Sequence, residues 1–463
     1  MSESLKTISP VDGSLYVERA YTSPEKVEEM LSAARAAQQE WRQKSVAERA
    51  AILEKGVDNF VAKKELIAEE LAWQMGRPIR YGAGEVGGFE ERARYMISVA
   101  EETLADIAIP EKAGFTRYIK REPVGVVFTI APWNFPFMTA VNSIVPALMA
   151  GNAVILKHAA QTHLCGERMV ECFVEAGLPE ALFQIVVASH QLAADIIGWD
   201  KIDYVCFTGS VPAGKAIETA AVGHFIGVGL ELGGKDPAYV RSDADVAYAA
   251  ENLVDGAMFN SGQSCCGIER IYVHEDVYDA FIEKFVEVVN GYKLGNPTDP
   301  ETTLGPLVNA AAADFVRGQV ADAVKAGAKA LIDPKLFPAD KAGTAYLAPN
   351  VVVDVDHSMR IMTEESFGPV VGIMKVTSDE EAIRLMNDSE FGLTASVWTM
   401  DEAAAVRIGD QVETGTWFMN RCDYLDPALA WTGVKNSGRG CTLSVVGYES
   451  LTRPKSYHLR TAI

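Results

Sequence analysis

The chain has 463 residues, 48% of them hydrophobic, and a formal net charge of −21. This length exceeds what one compact core supports, so we expect two or three domains. The acidic balance argues against nucleic-acid binding, which needs a basic face. The sequence contains no apolar run of about 18 residues, so no membrane span is predicted.

The first elements along the chain are helical. Residues 25–105 show helical periods interspersed with charge, and Ser45 followed by Glu48 is typical of a capping box at a helix start. Residues 116–124 alternate apolar and polar side chains, which predicts an exposed strand or hairpin arm.

A regular alternation of strands and helices follows. The alternation at this spacing implies a parallel, doubly wound sheet of the α/β class. The predicted strands are 126–130, 153–156, 183–187, 204–207 and 225–231, and the predicted helices are 137–150, 163–177 and 212–222, with a short helix after 187.

Residues 232–425 repeat this alternation and therefore predict a second α/β domain. The tail, 451–459, is predicted as a further strand. The second set comprises strands at 271–273 and 370–376 and helices at 276–293, 309–326 and 378–387.

The cysteines and histidines show no pattern typical of a disulfide framework or of a metal site. The seven cysteines are odd in number and irregularly spaced, which favours a reducing cytoplasm over a disulfide framework. The histidines form no pattern with cysteine or carboxylate that is typical of a metal site, so we expect no metal. The first residues lack the layout of a signal peptide.

Three segments supply the side chains that covalent carbonyl chemistry requires. Cys265 follows a Gly262-Gln263 pair, and the small glycine would leave room for a substrate carbonyl to reach a thiolate. Glu231 ends a predicted strand in apolar surroundings, where a carboxylate could activate water. Asn134 follows the strand 126–130, at the end where ligands bind, and its amide could hold an oxyanion.

In order and flanking residues these segments resemble the NAD(P)-dependent aldehyde dehydrogenase superfamily, and the resemblance covers essentially the whole chain. The segments 157–159 and 209–214 look like the shorter succinate-semialdehyde dehydrogenase group. The resemblance implies an aldehyde-dehydrogenase-like α/β fold, with a Rossmann-type cofactor domain, an α/β catalytic domain and a small β arm for oligomerisation.

The resemblance also implies a reaction. The Cys265 thiolate would attack an aldehyde to form a thiohemiacetal, with the oxyanion held by the Asn134 amide and the Cys265 backbone N–H. Water activated by Glu231 would then hydrolyse the thioester. CoA-acylating relatives lack this glutamate, so Glu231 favours release of a carboxylic acid. A non-catalytic structural homologue is the third alternative, and the intact Cys265, Asn134 and Glu231 argue against it.

Cofactor residues are assigned by the same resemblance. Lys157 would lie at the adenosine ribose, Gly209 and Ser210 at a phosphate near a helix N-terminus, and Glu365 at the ribose hydroxyls. Phe367 would pack beside the nicotinamide, and Trp133 is placed in the same site. Residue 160 is alanine, so no carboxylate there would repel a 2′-phosphate, and both NAD and NADP remain open.

The substrate is left open by the sequence. The succinate-semialdehyde group carries an arginine shortly after Asn134, and the segment 137–143 has none, which weakens the case for a semialdehyde. Asp423 would favour a cationic aminoaldehyde and Arg421 an anionic aldehyde, unless the two form an ion pair with each other. Cys266 is expected either to pack in the core or to protect Cys265 by a redox reaction.

The predicted cofactor-binding domain covers residues 1–114 and 125–231, with 431–446 returning to it. The predicted catalytic domain covers 232–430. The predicted arm combines 115–124 with 447–463, and its unpaired edge would join a neighbouring subunit in a homodimer or homotetramer.

Overall fold

The computed structural model describes residues 4–462, so the first three residues of the predicted cofactor domain and the last residue of the predicted arm lie outside it. The helical character predicted for 25–105 is confirmed, and an antiparallel strand pair, which the sequence did not predict, precedes it. The elements are β1 (Ser4–Ile8), β2 (Leu15–Ala20), α1 (Pro24–Trp41), α2 (Val46–Val61), α3 (Lys64–Met75), α4 (Ile79–Thr103), β3 (Ile107–Ala108) and β4 (Phe115–Pro123).

Local capping explains where these helices begin and end. The predicted capping box is present, because Ser45 Oγ accepts from the Glu48 N–H and the Glu48 carboxylate accepts from the Ser45 N–H. Such reciprocal bonds satisfy N–H groups that the first helical turn leaves free. Helix α3 ends at Gly76 with φ of 82°, a left-handed conformation that glycine adopts without strain.

The middle of the chain alternates strands and helices as predicted, with ends shifted by one or two residues. The elements are β5 (Val126–Ala131), α5 (Met138–Met149), β6 (Ala153–His158), α6 (His163–Glu175), β7 (Phe183–Ile185), α7 (His190–Gly198), β8 (Tyr204–Thr208), α8 (Val211–Ala221) and β9 (Gly227–Glu231).

The remaining elements include the predicted ones and several short strands that the sequence did not predict. They are β10 (Asp236–Val240), α9 (Val246–Met258), β11 (Ile268–His274), α10 (Tyr278–Asn290), α11 (Ala310–Lys325), β12 (Lys329–Ala330), β13 (Asn350–Val353), α12 (Arg360–Thr363), β14 (Val370–Val376), α13 (Asp379–Asn387), β15 (Phe391–Gly392), β16 (Thr394–Trp398), α14 (Glu402–Gly409), β17 (Thr416–Met419), β18 (Val434–Lys435), β19 (Gly438–Arg439) and β20 (Thr452–Arg460).

The first large sheet has the strand order β19-β9-β8-β5-β6-β7. Strands β5 to β9 are parallel, and only β19 runs antiparallel to its neighbour. The strand order reverses at β5, which lies between β8 and β6. The predicted doubly wound sheet is therefore confirmed, and the crevice at such a reversal is where open α/β sheets bind ligands.

The second large sheet has the order β12-β13-β14-β11-β10-β16-β17. It is parallel except at β12, and apolar clusters cover both of its faces, as a sheet with helices on each side requires. Along β10, Tyr239 belongs to one cluster while Ala238 and Val240 belong to the other, so successive side chains alternate between the faces.

A three-stranded sheet, with the order β20-β4-β3, stands apart from both. The predicted combination of residues 116–124 with the C-terminal strand is confirmed by their antiparallel pairing. Residues 446–451 form a 3₁₀ turn instead, and Tyr448 and Leu451 are buried in the core of the first sheet. The outer strand therefore starts at Thr452. The domain limits drawn from the sequence stay a prediction.

Candidate active site

The predicted residues meet where two sheet edges face each other. Strands β5, β6, β8 and β9 are parallel, so their carboxyl ends share one edge of the first sheet. Strand β9 ends at Glu231, and β10 of the second sheet begins only a few residues later at Asp236. Cys265 and Glu365 precede β11 and β14, so they lie at the amino edge of the second sheet.

The turn before Cys265 is held in a fixed conformation. Asn260 and Ser261 adopt left-handed φ values of 53° and 57°, and the Gln263 side chain donates to Asn260 O and accepts from the Val308 N–H. Gly262 has φ of 71°, and any Cβ there would collide with the Gly368 carbonyl. The glycine therefore allows two loops to touch, rather than opening a path for substrate as expected.

Asn134 is held directly beside the segment that carries Cys265. Its Nδ2 donates to Gln263 O at 3.2 Å, and the residue is 5% exposed. Arg77 and Asn260 fix its backbone carbonyl with bonds of 2.5 and 3.1 Å. One Nδ2 hydrogen and the Cys265 backbone N–H have no acceptor among the described residues, so two donors are available for an oxyanion.

Glu231 lies at the end of β9 with its carboxylate bonded to two hydroxyls. Thr442 Oγ1 donates at 2.6 Å and Thr208 Oγ1 at 3.1 Å. Burial raises the pKa of Glu231, and the two hydroxyl bonds oppose this. A cavity of about 30 Å³ adjoins the carboxylate, which is room for water. In this arrangement no hydrogen bond joins the Glu231 carboxylate to Cys265.

Glu365 and Phe367 are fixed against the loop that follows Glu231. The Gly234 N–H donates to Glu365 Oε1 at 2.9 Å, and burial with the nearby Glu269 charge raises the Glu365 pKa to about 7. Glu269 accepts from the backbone N–H of Phe367 at 2.9 Å and pairs with Lys235 at 2.5 Å. This network joins the segment after β9 to the turn before β14.

The residues assigned to the cofactor lie at the reversal of strand order. Lys157, at the end of β6, is 7% exposed, has no partner among the described residues, and its pKa is lowered by burial. Ser210 caps α8 without using its side chain, and its N–H has no acceptor among residues 4–462. The Gly209 N–H instead donates to Glu231 O at 3.0 Å, so this amide is not available to a phosphate.

Two aromatic rings flank this crevice. Trp133 and Phe367 make an edge contact with ring centroids 5.6 Å apart, which brings the carboxyl end of β5 and the turn before β14 together. An unpaired lysine, a free helix N-terminus and two aromatic rings are groups that fit a dinucleotide.

The loop after β17 contributes a carboxylate to the cysteine pair. Asp423 accepts from Ser264 Oγ at 3.1 Å and from Cys266 Sγ at 3.0 Å, and burial raises its pKa to about 7. Arg421 stacks on the Tyr424 ring at 3.6 Å, so the alternative of an Arg421–Asp423 pair is wrong. Contact with Cys265 and burial raise the pKa of Cys266 well above its ordinary value.

Comparison with known proteins agrees with this geometry. The model of the aldehyde dehydrogenase family matches residues 1–457. The chain belongs to the aldehyde dehydrogenase family. It is an NAD(P)-dependent enzyme that oxidises an aldehyde, as the sequence predicted.

Relatives and solved structures match this aldehyde dehydrogenase along most of its length. It is 37% identical, over 89% of its chain and 87% of the relative, to a succinate-semialdehyde dehydrogenase [NADP(+)] of Mycolicibacterium paratuberculosis. The succinic semialdehyde dehydrogenase of Streptococcus pyogenes with NADP+ superposes with a TM-score of 0.93 at 28% identity, over 98% and 100% of the chains. PnpE with nicotinamide adenine dinucleotide gives 0.95 at 32% identity, over 99% and 95%.

Sequence reasoning missed several residues that hold the enzyme's site together. Glu269 lies close to Cys265 in the sequence and Lys235 lies close to Glu231, but no local pattern shows that Glu269 and Lys235 pair with each other. Thr208 and Thr442 come from distant segments, and so does Ser437, whose Oγ donates to Gly233 O at 2.7 Å. Only the fold brings these groups to the loop that follows Glu231.

Residues 4–462 contain no helix with the length and apolarity needed to cross a bilayer. Within the same range, no three His, Cys, Asp or Glu side chains are grouped so that they could hold a metal ion.

Proposed function

We propose that Cys265 is the nucleophile of this aldehyde dehydrogenase, with Asn134 and the Cys265 N–H as the oxyanion donors. The observation that carries this is the Asn134 bond to Gln263 O, which places the amide two residues from Cys265. The sulfur forms a bond to the aldehyde carbon, and the two N–H groups stabilise the charge on its oxygen. A bound nicotinamide ring would accept the hydride from that carbon and leave a thioester.

Glu231 completes the proposal as the base of the hydrolytic step. A carboxylate takes a proton from water, the water oxygen bonds to the thioester carbon, and the Cys265 sulfur leaves with release of a carboxylic acid. The raised Glu231 pKa favours such proton uptake. The structure shows Glu231 bonded to Thr208 and Thr442, so the side chain must turn towards Cys265 to act.

The test is the absorbance of reduced cofactor with an aldehyde, NAD⁺ or NADP⁺, and with or without CoA. The proposed enzyme forms reduced cofactor without CoA and releases acid. A strict requirement for CoA would show an acylating relative instead, and no reduction with any aldehyde would show a non-catalytic homologue.

For the cofactor, we propose that Lys157 and the N-terminus of α8 hold the adenosine and phosphate part, and that Glu365, Phe367 and Trp133 surround the nicotinamide part. The buried, unpaired Lys157 ammonium supports this, because a buried charge without a partner is unfavourable until a phosphate or the ribose hydroxyl groups bind it. Gly209 contributes backbone shape, since its N–H is already bonded.

NADP⁺ should be used with a kcat/KM within about tenfold of that for NAD⁺, a difference of about 1.4 kcal/mol. Lys157 can meet a 2′-phosphate, and the exposed Ala160 offers no repulsion. Ala160→Glu should lower kcat/KM for NADP⁺ selectively, and Ala160→Gln, with the same bulk and no charge, should not. A wild-type preference for NAD⁺ of more than about a hundredfold (2.7 kcal/mol) would contradict the assignment.

Two substrate classes remain for the aldehyde. Two of the proteins named above are succinate-semialdehyde dehydrogenases, and succinate semialdehyde carries an anionic end. The Asp423 carboxylate, which accepts from Ser264 and Cys266 and pairs with no cation among residues 4–462, supports a cationic aminoaldehyde as the second candidate. Its raised pKa weakens that candidate because the group is partly protonated near neutral pH. All seven cysteines are free thiols, and we place the enzyme in the reducing cytoplasm.

We further propose a homodimer or homotetramer joined through β20. Its nine residues pair with β4 on one side only, and most of them are exposed. An exposed edge strand of this length is a template for pairing with another chain. The stacked Tyr118 and Tyr457 rings, 4.6 Å apart, stiffen the pair.

Deleting residues 452–463 should dissociate or destabilise the assembly, because it removes the exposed edge. Deleting only 461–463 leaves β20 intact and should leave the assembly unchanged. Analytical ultracentrifugation at micromolar concentration reads out both. Full-length enzyme that sediments as an active monomer would rule this arrangement out.

A further inference from the structure

Arg92 is a buried cation without an anionic partner. It lies on the buried face of α4 and is 7% exposed. Its Nη1 donates to Met138 O at 2.6 Å and to Asn142 Oδ1 at 3.4 Å. Among residues 4–462, no carboxylate forms an ion pair with this guanidinium, and no acceptor meets its Nε or Nη2 atoms.

The acidic side chains around Arg92 all bond to other groups in this arrangement, so none of them neutralises it. Their partners are Arg77 for Glu85, Tyr424 for Glu91, Thr208 and Thr442 for Glu231, and Ser264 and Cys266 for Asp423. A buried charge without a partner destabilises a fold. The presence of Arg92 at this position therefore indicates a function that offsets this cost.

Arg92 lies beside the reaction site, because Asn142, which accepts from it, lines the cavity that adjoins Glu231. Burial lowers its pKa, and the acidic groups that oppose this include the Cys266 thiol and Glu231. The charge of Arg92 in turn acts on the pKa of Asp423. Helix α4 also contacts the loop after β17 directly, through the 2.8 Å bond from Tyr424 to Glu91. The unbonded Nε and Nη2 atoms are not fully buried, so they border space that solvent can reach.

Asn142 supplies a second unpaired donor at the same place. Its Oδ1 accepts from Arg92, which fixes the orientation of the amide, and its Nδ2 is fully buried with no acceptor among the described residues. Buried donors in native proteins are nearly always satisfied. Arg92 and Asn142 therefore form a group of donors that lacks its acceptor.

We propose that Arg92 is a specificity-determining residue that binds the far carboxylate of an aldehyde acid whose carbonyl carbon lies at Cys265. A guanidinium presents two parallel N–H groups that match a carboxylate. The arginine that is missing from segment 137–143 is thus replaced by one from α4, which reaches the same segment through the Met138 carbonyl. The proposal rests on aldehyde oxidation at Cys265 and selects the anionic substrate class over the cationic one.

The experiment compares succinic semialdehyde with butanal, a neutral aldehyde of the same carbon number, in the native oligomer. Wild-type enzyme should prefer succinic semialdehyde at least tenfold in kcat/KM. Arg92→Met should lower kcat/KM for succinic semialdehyde by about 100-fold, mainly through KM, and change that for butanal less than about threefold. Arg92→Lys should have a kcat/KM for succinic semialdehyde between those of the wild type and Arg92→Met. The control Arg80→Met removes an exposed arginine at the start of the same helix and should change neither substrate.

Two outcomes would overturn the proposal. One is equal loss with both substrates in Arg92→Met, which marks a structural role. The other is a wild-type enzyme without preference for the carboxylate, a measurement that needs no variant and holds even if Arg92→Met misfolds. Butanal oxidation itself reports on the proposed chemistry at Cys265, so failure of that chemistry is distinguishable from failure of the carboxylate site.

Discussion

Replacing Cys265 with alanine should lower the rate of reduced-cofactor formation by at least about 10⁴-fold, because the proposed covalent intermediate forms on this sulfur and no other group can replace it. Cofactor binding should stay near normal, since the residues assigned to the adenosine and phosphate part lie at the reversal of strand order in the first sheet. Steady-state absorbance gives the rate, and fluorescence titration gives the affinity for reduced cofactor.

Cys266→Ala is the matched control for this change. Cys266 is buried and donates to Asp423, and its raised pKa keeps it a thiol, so it is not a nucleophile at neutral pH. We expect it to retain most activity. Robust aldehyde oxidation by Cys265→Ala, or an equal loss in Cys266→Ala, would count against the assignment of the nucleophile.

Glu231→Gln should give one rapid burst of reduced cofactor and then stall as the thioester. Hydride transfer needs Cys265, whereas hydrolysis needs a base, and loss of a general base lowers its step by about 10²- to 10⁴-fold. Glutamine keeps one acceptor oxygen for a threonine hydroxyl and can donate its NH₂ to the oxygen of the other threonine, so the fold should tolerate it. Stopped-flow absorbance detects the burst, and mass spectrometry of quenched enzyme detects the acyl group.

The acid limb of steady-state turnover offers a second measurement of Glu231. Burial raises its pKa above the ordinary value of 4.5, so the active carboxylate is lost at a higher pH than for an exposed glutamate, and hydrolysis should rise as pH increases through that raised value. Glu218→Gln, at a half-buried glutamate paired with Arg439, is the control and should keep wild-type turnover. A Glu231 variant with no burst and no acyl-enzyme would mean that Glu231 acts earlier or only structurally.

The fold was predictable where elements are long or regularly spaced. The alternation after residue 126 predicted β5 to β9 and their helices because buried strands and amphipathic helices of ordinary length differ in period. Strands β10, β13, β16 and β17 were missed, since a run of only four or five residues is too short to show a period that separates strand from helix. Their identity depends on neighbours in the second sheet.

The candidate site divides in the same way. Cys265, Asn134 and Glu231 were found because each lies in a short segment with a recognisable flank. Their supports were not found, since Glu269 meets Lys235 and Thr442 meets Glu231 only after folding. Arg92 carried no signal at all in the sequence, where it is one of several charged residues in a helical stretch.

The sequence by itself determined the family and the α/β class and supplied the groups proposed for the reaction centre, because these depend on local patterns and on short segments that fold alike wherever they occur. Only the tertiary structure decided which groups are already paired and which are left without a partner. Hydrogen bonding and burial depend on residues that are far apart in the chain. The bonded Gly209 N–H, the Asp423 contact with Cys266 and the absence of an ion-pair partner for Arg92 therefore could not be predicted from the sequence alone.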